Sequence, residues 1–364
     1  MDFAHSPLSL SMQVRLQQFM DDLVLPSMAE WHRWSDAGEY PLDLVEPLKA
    51  QARALGLWNL FLPSLRDDQP GTRLSNVDYA PLAEIMGRVP WAAELFNCNA
   101  PDSGTMELLQ RFASPAQADR WLNPLLRGEI RSCFAMSEPD TASSDPTQLQ
   151  TSIVRSGGNI PVMDHQSLDG HCELVLRNVR VPADAMLGEP GAGFALAQAR
   201  LGPGRVHHAM RSIGQCELAL ELMCERALER RAFGGRLGDF ANVQDWIAES
   251  RVEIDQARLL VMHAAWTLDS AGSAAARTEV SAIKLVSSRL QTRVLDRAMQ
   301  VFGAMSLSPD TPLAQLWAWG RALRFLDGPD EVHLRTVARA ELKRAKGRRG
   351  ANAAHMRRWM PVER

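Results

Sequence analysis

From Ile283 the apolar residues Val286, Leu290, Val294, Ala298 and Val301 recur at steps of three or four, which lines them along one face of a long α-helix. One such helix cannot bury its stripe alone. The helical pattern begins again after Phe194 and holds almost to the C-terminus, so several of these helices must pack together as a bundle. The first 130 or so residues also read as helical, with Pro and Gly set between amphipathic stretches such as Leu44 to Leu57 and Tyr79 to Val89. Between the two helical regions the period changes, from Gln150 to Arg155 and from His171 to Val179. Around Cys172, Leu174 and Leu176 apolar residues alternate, as in a strand with one buried face. This zone ends in VRVPADAMLGEPGAGF, a loop with three Gly and two Pro. The order predicts a mostly α protein with a small β-domain: an N-terminal helical domain over 1–130, a middle β-domain over 131–190, a C-terminal helical bundle over 191–346 and a basic tail over 347–364.

Composition limits what such a chain can do. With 364 residues, 46% apolar and 23% charged, it can bury a large core. A formal net charge of −3 and a pI near 6.3 give no overall attraction to nucleic acid or anionic membrane. The basic tail KRAKGRRGANAAHMRRW reads as a solvated terminus. Five cysteines without CxxC spacing, in a chain with no cationic, apolar N-terminal signal segment, fit a reducing cytoplasm. No apolar run approaches the roughly 20 residues that span a bilayer. His207 and His208 are adjacent, so on a helix they point about 100° apart and cannot chelate one metal as an i, i+4 pair does.

The stretch FAMSEPDTASSD, from Phe134 to Asp145, joins Ser137, Glu138 and Pro139 to the small residues Ala142, Ser143 and Ser144. Such a turn offers backbone N–H groups and hydroxyls to a polar ring edge or an anion. It resembles the flavin-contacting turn of the acyl-CoA dehydrogenase family. Further strings match that family in order: LGPGR, LERRAFGGRLGDFANVQ, QVFGAMS and FLDGPDE. The resemblance runs from about Asp21 to Lys346 and implies the family's fold, with FAD between a middle β-barrel domain and a C-terminal four-helix bundle and an acyl-CoA thioester beside the flavin ring.

By that resemblance Phe134, Met136 and Ser137 line the flavin, and Ser143 and Ser144 lie at the flavin and acyl-CoA contact. Arg230, Phe233 and Gln244 belong to an arm that reaches the cofactor of a neighbouring subunit, where a planar guanidinium suits a diphosphate. Read without the resemblance, Arg226, Arg230 and Arg231 would simply complement a helix C-terminus. Gln300 and Gly303 continue the FAD contact, although Ala304 and Ser306 stand where the family has glycines. Asp327 matches the carboxylate that removes the α-proton of the thioester as hydride leaves the β-carbon for flavin N5; a desolvated base and hydrogen bonds to the enolate serve that chemistry. In members that carry the base on another helix, the matching position here is Pro203, which cannot act as one. Asp327 also reads as a helix N-cap. Gly328 would touch the thioester, Pro329, Asp330 and Glu331 the cofactor, and Gly202, Pro203, Gly204 and Arg205 the acyl-CoA channel.

One departure stands out. Ser156-Gly157-Gly158-Asn159 runs directly into Ile160-Pro161-Val162, where the family has several more strands. Three explanations compete: a truncated homologue without flavin, a segment skipped between these residues, or an enzyme with a reduced β-domain. The intact motifs on either side favour the second, which requires neighbouring Cα atoms near Asn159 and Ile160 to lie far beyond the roughly 3.8 Å of a trans peptide. The expected function is FAD-dependent dehydrogenation of an acyl-CoA by a homodimer or homotetramer that passes electrons to an electron-transfer flavoprotein. A non-catalytic helical scaffold, or a flavin oxidase or monooxygenase relative, is the alternative.

Overall fold

The computed structural model describes residues 2–136 and 179–347, with Glu138, Thr141, Gln148 and two short strands between them. The chain is continuous over 1–364, which removes the skipped-segment explanation. Asn159 and Ile160 themselves, the Gln150–Arg155 stretch and the tail beyond 347 lie outside the described residues.

Eight helices fill the first 130 residues: α1 (Pro7–Phe19), α2 (Met28–Asp36), α3 (Leu42–Ala54), α4 (Asn76–Gly87), α5 (Ala92–Leu95), α6 (Asp102–Phe112), α7 (Pro115–Gln117) and α8 (Asn123–Leu126). Their starts are set locally. Ser6 and Ser75 each accept a hydrogen bond at 3.1 Å from the backbone three residues on, Ser9 and Asp78 respectively. The strands β1 (Met163–His165) and β2 (Cys172–Leu174) pair antiparallel, with His165 opposite Cys172, so the alternation around Cys172 is a strand as expected.

The rest is a helical bundle: α9 (Gly193–Glu229), α10 (Ala241–Ala275), α11 (Arg277–Phe302), α12 (Leu313–Ala322) and α13 (Asp330–Gly347). The stripe read from sequence lies on α11, where Ile283, Leu290, Val294, Ala298 and Val301 are buried and Val286 partly so. α9 packs against α4, α10 and α11, and the apolar core runs unbroken from Met12 on α1 to Leu316 on α12.

Two features fix α9 against the N-terminal helices. A Cβ on Gly87 would lie 2.4 Å from the Arg211 Cα, so α4 and α9 cross with their backbones in contact. Around the crossing, Arg258 of α10 bonds Glu84 of α4 at 2.8 Å and also pairs with Glu217 of α9. The Asp269 carboxylate accepts 2.9 Å bonds from the N–H groups of Asn76 and Val77, placing an anion at the start of α4.

Candidate active site around Asp327

Asp327 sits in the short link between α12 and α13, and its φ of +54° is in the left-handed region. Gly328 follows at +102°. A non-glycine residue adopts such a φ only when its surroundings hold it there, and the holding contacts fall on its carbonyl. Arg205 Nη2 donates to this oxygen at 2.9 Å, and His333 Nε2 faces it at 3.2 Å. The carboxylate points elsewhere, with its Oδ2 3.5 Å from His208 Nε2 and its side chain 25% exposed. Arg205 and His208 are three residues apart on α9, hence on one face of that helix. The N-cap reading of Asp327 is corrected: α13 begins three residues later, at Asp330. Asp330 is buried there and pairs with Arg289 at 3.2 Å and Arg324 at 2.9 Å.

Cations gather around the Asp327 carboxylate. Lys284 of α11 is buried and donates to the Leu323 carbonyl; burial pulls its ammonium down to about 8, against the attraction of Asp327 and Asp330. Burial likewise lowers the guanidinium groups of Arg205 and Arg200 below their usual value. His208 is pushed down to about 4 by burial, assisted by Arg211, Lys284 and Arg200 and opposed by Asp327. His333 falls to about 4 for the same main reason. Near neutral pH both imidazoles are therefore uncharged, and the Asp327 carboxylate is framed by neutral rings and by the cations of Arg200, Arg205 and Lys284.

Arg200 links this shelf to Phe134. It is 8% exposed, its guanidinium lies 4.0 Å over the Phe134 ring, and Nη2 donates to Pro101 at 3.2 Å. It also lies within electrostatic reach of Asp327. Phe134 and half-buried Met136 thus stand on the Asp327 side of the molecule, while Ser137, Ser143 and Ser144 lie outside the described residues. Gly202, Pro203 and Gly204 fall inside α9, one turn before His208. Pro203 has no N–H for the Ala199 carbonyl, and a Cβ on Gly204 would meet nothing within 4 Å. Pro329 is half-buried and Glu331 exposed.

The remaining expected ligands are at the far end of α9. After Glu229 the chain forms a hairpin of β3 (Arg231–Ala232) and β4 (Gly235–Arg236), turned by Phe233 and Gly234 at φ of +48° and +86°. The arginine-rich segment is therefore a hairpin entry rather than a helix end alone. Phe233 is 99% exposed at its tip. Arg230 is exposed, and Gln244 bonds the Gly238 carbonyl at 2.9 Å. Arg226 lies 5.5 Å from the Phe302 ring, which brings the end of α11, with exposed Gln300 and open Gly303, to the same end of the bundle. Ser306 is buried and donates to the Gly303 carbonyl at 2.7 Å, and Ala304 points to solvent, so neither Cβ blocks the approach to Gly303. The 24 residues from Arg205 to Glu229 carry the chain about 36 Å along α9.

The residue types at the two ends suit a flavin. An exposed aromatic with arginine at its base and a glycine with open space above it form one end, and Phe134 beside a cation-lined shelf forms the other. Sequence reading did not find His208, Lys284, Arg200 or His333, because each meets Asp327 only through the packing of α9, α11 and α13.

Comparison with known proteins agrees. Residues 9–129 match the model of the acyl-CoA dehydrogenase N-terminal domain and residues 191–342 that of the acyl-CoA dehydrogenase C-terminal domain. The chain is 43% identical over 406 positions to Probable acyl-CoA dehydrogenase FadE2 of Mycobacterium tuberculosis, covering 95% of this chain and 98% of that one. Those 406 positions exceed 95% of 364 residues by about sixty, so the relative carries that many residues opposite gaps here. It is also 43% identical to acyl-CoA dehydrogenase family member 10 of Mus musculus, but spans only 38% of that longer protein. A structure from Mycobacterium abscessus assigned to the acyl-CoA dehydrogenases superposes with a TM-score of 0.86 at 40% identity, covering 94% of this chain and 100% of that one. The chain belongs to the acyl-CoA dehydrogenase family of oxidoreductases.

Proposed function

We propose that this protein carries out FAD-dependent α,β-dehydrogenation of an acyl-CoA thioester, with Asp327 as the base. The observation that supports it above others is the Asp327 carboxylate, partly exposed among cations and neutral imidazoles and within electrostatic reach of Arg200, whose guanidinium stacks over Phe134. When bound, FAD supplies the acceptor for the hydride that leaves the β-carbon. Asp327 takes the α-proton. Arg205 and His333 hold its backbone carbonyl, which leaves the carboxylate turned toward His208. The positive charge nearby serves to steady any negative charge that develops on the thioester oxygen.

Gly202, Pro203, Gly204, Arg205 and Gly328 line the acyl-CoA in this reading. Arg230, Phe233, Gln244, Gln300 and Gly303 serve a cofactor shared with a second copy, so the unit is a homodimer or homotetramer, and Pro329, Asp330 and Glu331 complete the pocket. Ser137, Ser143 and Ser144 would provide the remaining flavin and substrate contacts. An electron-transfer flavoprotein is the proposed electron acceptor. The roughly sixty FadE2 positions without a counterpart here, together with the motifs kept on either side of Asn159, favour an enzyme with a reduced β-domain over a flavin-free homologue.

Asp327→Asn tests the chemistry. It should bind FAD yet fail to bleach it with acyl-CoA under anaerobic conditions. Bleaching at the wild-type rate would exclude Asp327 as the base.

A further inference from the structure

We propose that His208 is the positioning partner of Asp327: a neutral imidazole whose Nε2–H is directed at the carboxylate, fixing its orientation toward the substrate and steadying its anionic form. This rests on the reading of Asp327 as the base. His208 Nε2 lies 3.5 Å from Asp327 Oδ2, with the two side chains 23% and 25% exposed. A catalytic hydrogen bond in a substrate-free site is often this long and shortens when substrate fills the cleft.

The neighbours fix which partner carries the charge. The charges that act on His208 are Arg200 and Arg211 on its own helix, Lys284 from α11 and Asp327 from the link, while Arg205 and His333 lie against the Asp327 carbonyl. Three cations against one carboxylate, with burial added, disfavour a further positive charge at the imidazole. The ring stays neutral, and against an anion a neutral imidazole presents N–H rather than a lone pair. Arg205, one turn earlier on the same face, holds the Asp327 carbonyl at 2.9 Å. One surface of α9 thus controls both the backbone and the side chain of a residue 119 positions away in sequence.

When the α-proton moves to Asp327, the carboxylate becomes a carboxylic acid and the contact loses its ionic character; His208 gains and loses no proton. It therefore acts through Asp327 and touches no reacting atom.

Two measurements test the pair. In purified protein labelled at the histidine ring carbons and nitrogens, the His208 signal is the one missing from His208→Gln. Its nitrogens should report the Nε2–H tautomer from pH 6 to 8, and the signal should move in Asp327→Asn. A His208 signal that titrates in that range, or that is unchanged in Asp327→Asn, overturns the proposal.

The second measurement is the pH profile of anaerobic flavin bleaching by butanoyl-CoA. His208→Phe, with no donor, should shift the acid limb upward by about one pH unit, the size expected for loss of one hydrogen bond to a charged group. His208→Asn, with its amide a methylene short of the carboxylate, should do the same, which keeps the test open if the Phe variant fails to fold. His208→Gln places an amide N–H where Nε2 was and should restore the wild-type limb. If all three variants share the wild-type limb, His208 does not act on Asp327. That result differs from a failure of the base assignment, in which Asp327→Asn itself would still bleach.

Discussion

A Cβ built on Gly214 would lie 2.1 Å from the carbonyl oxygen of Glu84, so at this point the backbones of α9 and α4 leave no room for a side chain. The neighbouring atom is main chain and cannot swing aside. Gly214→Ala should therefore destabilise the protein by about 1–3 kcal/mol, the usual cost of overpacking, seen as a lower urea midpoint. It should also disturb Arg205 and His208, which ride on the same helix. An unchanged midpoint would mean that the two helices are not in backbone contact.

Arg205 anchors the strained link at Asp327 through a single carbonyl. Arg205→Met keeps the apolar stem but removes the donor, leaving the left-handed φ with one fewer support. Flavin bleaching should slow by about 10²-fold, the scale expected when a catalytic group is misplaced by about an ångström, while FAD content stays near wild type. Equal loss of both would indicate general disruption of the bundle instead.

The depressed histidines make stability depend on pH. His208 and His333 each hold their proton to about 4 when folded, against an ordinary 6.5. Below about pH 6.5 the unfolded chain takes up protons that the folded chain refuses, so stability is greatest above that value and falls as pH drops toward 4. Urea midpoints at pH 7 and pH 5 should show the loss, and His333→Gln should show a smaller one. A loss of wild-type size in that variant would remove His333 from the account.

Phe233 touches almost nothing in its own chain. Phe233→Ala should leave the melting temperature of the isolated fold nearly unchanged, as surface substitutions do. It should weaken FAD retention after gel filtration, because the proposed berth of this ring is the cofactor of a second copy. Full retention at low protein concentration would argue against the arm's role.

The sequence made the helices legible because burial leaves a trace in periodicity: Leu44 to Leu57 and Tyr79 to Val89 predicted α3 and α4 to within a few residues, and the Ile283 stripe predicted α11. Asp327 was visible through its motif, though its conformation was not, since a Gly-Pro pair signals both a helix start and a left-handed turn. The hairpin at Phe233 was hidden behind its arginines, although Phe-Gly-Gly carried the signal for a two-residue turn. His208 was discounted because adjacent histidines suggest metal chelation and these two cannot share an ion. The structure sends them opposite ways, His207 into the core between Phe61 and Tyr79 and His208 to Asp327. That division depends on where α9 meets α4 and the start of α13, which no local pattern encodes.

Because α9 bears Arg205 and His208 near its start and hands the chain to the Phe233 hairpin at its end, it serves as a ruler between the two proposed half-sites. Deleting one residue from its middle would draw the hairpin in by about 1.5 Å and swing it about 100° around the axis. Changes of about seven residues, close to two whole turns, would bring it back into phase. Length variation among relatives should therefore gather in the loops and the β region, and spare this rod.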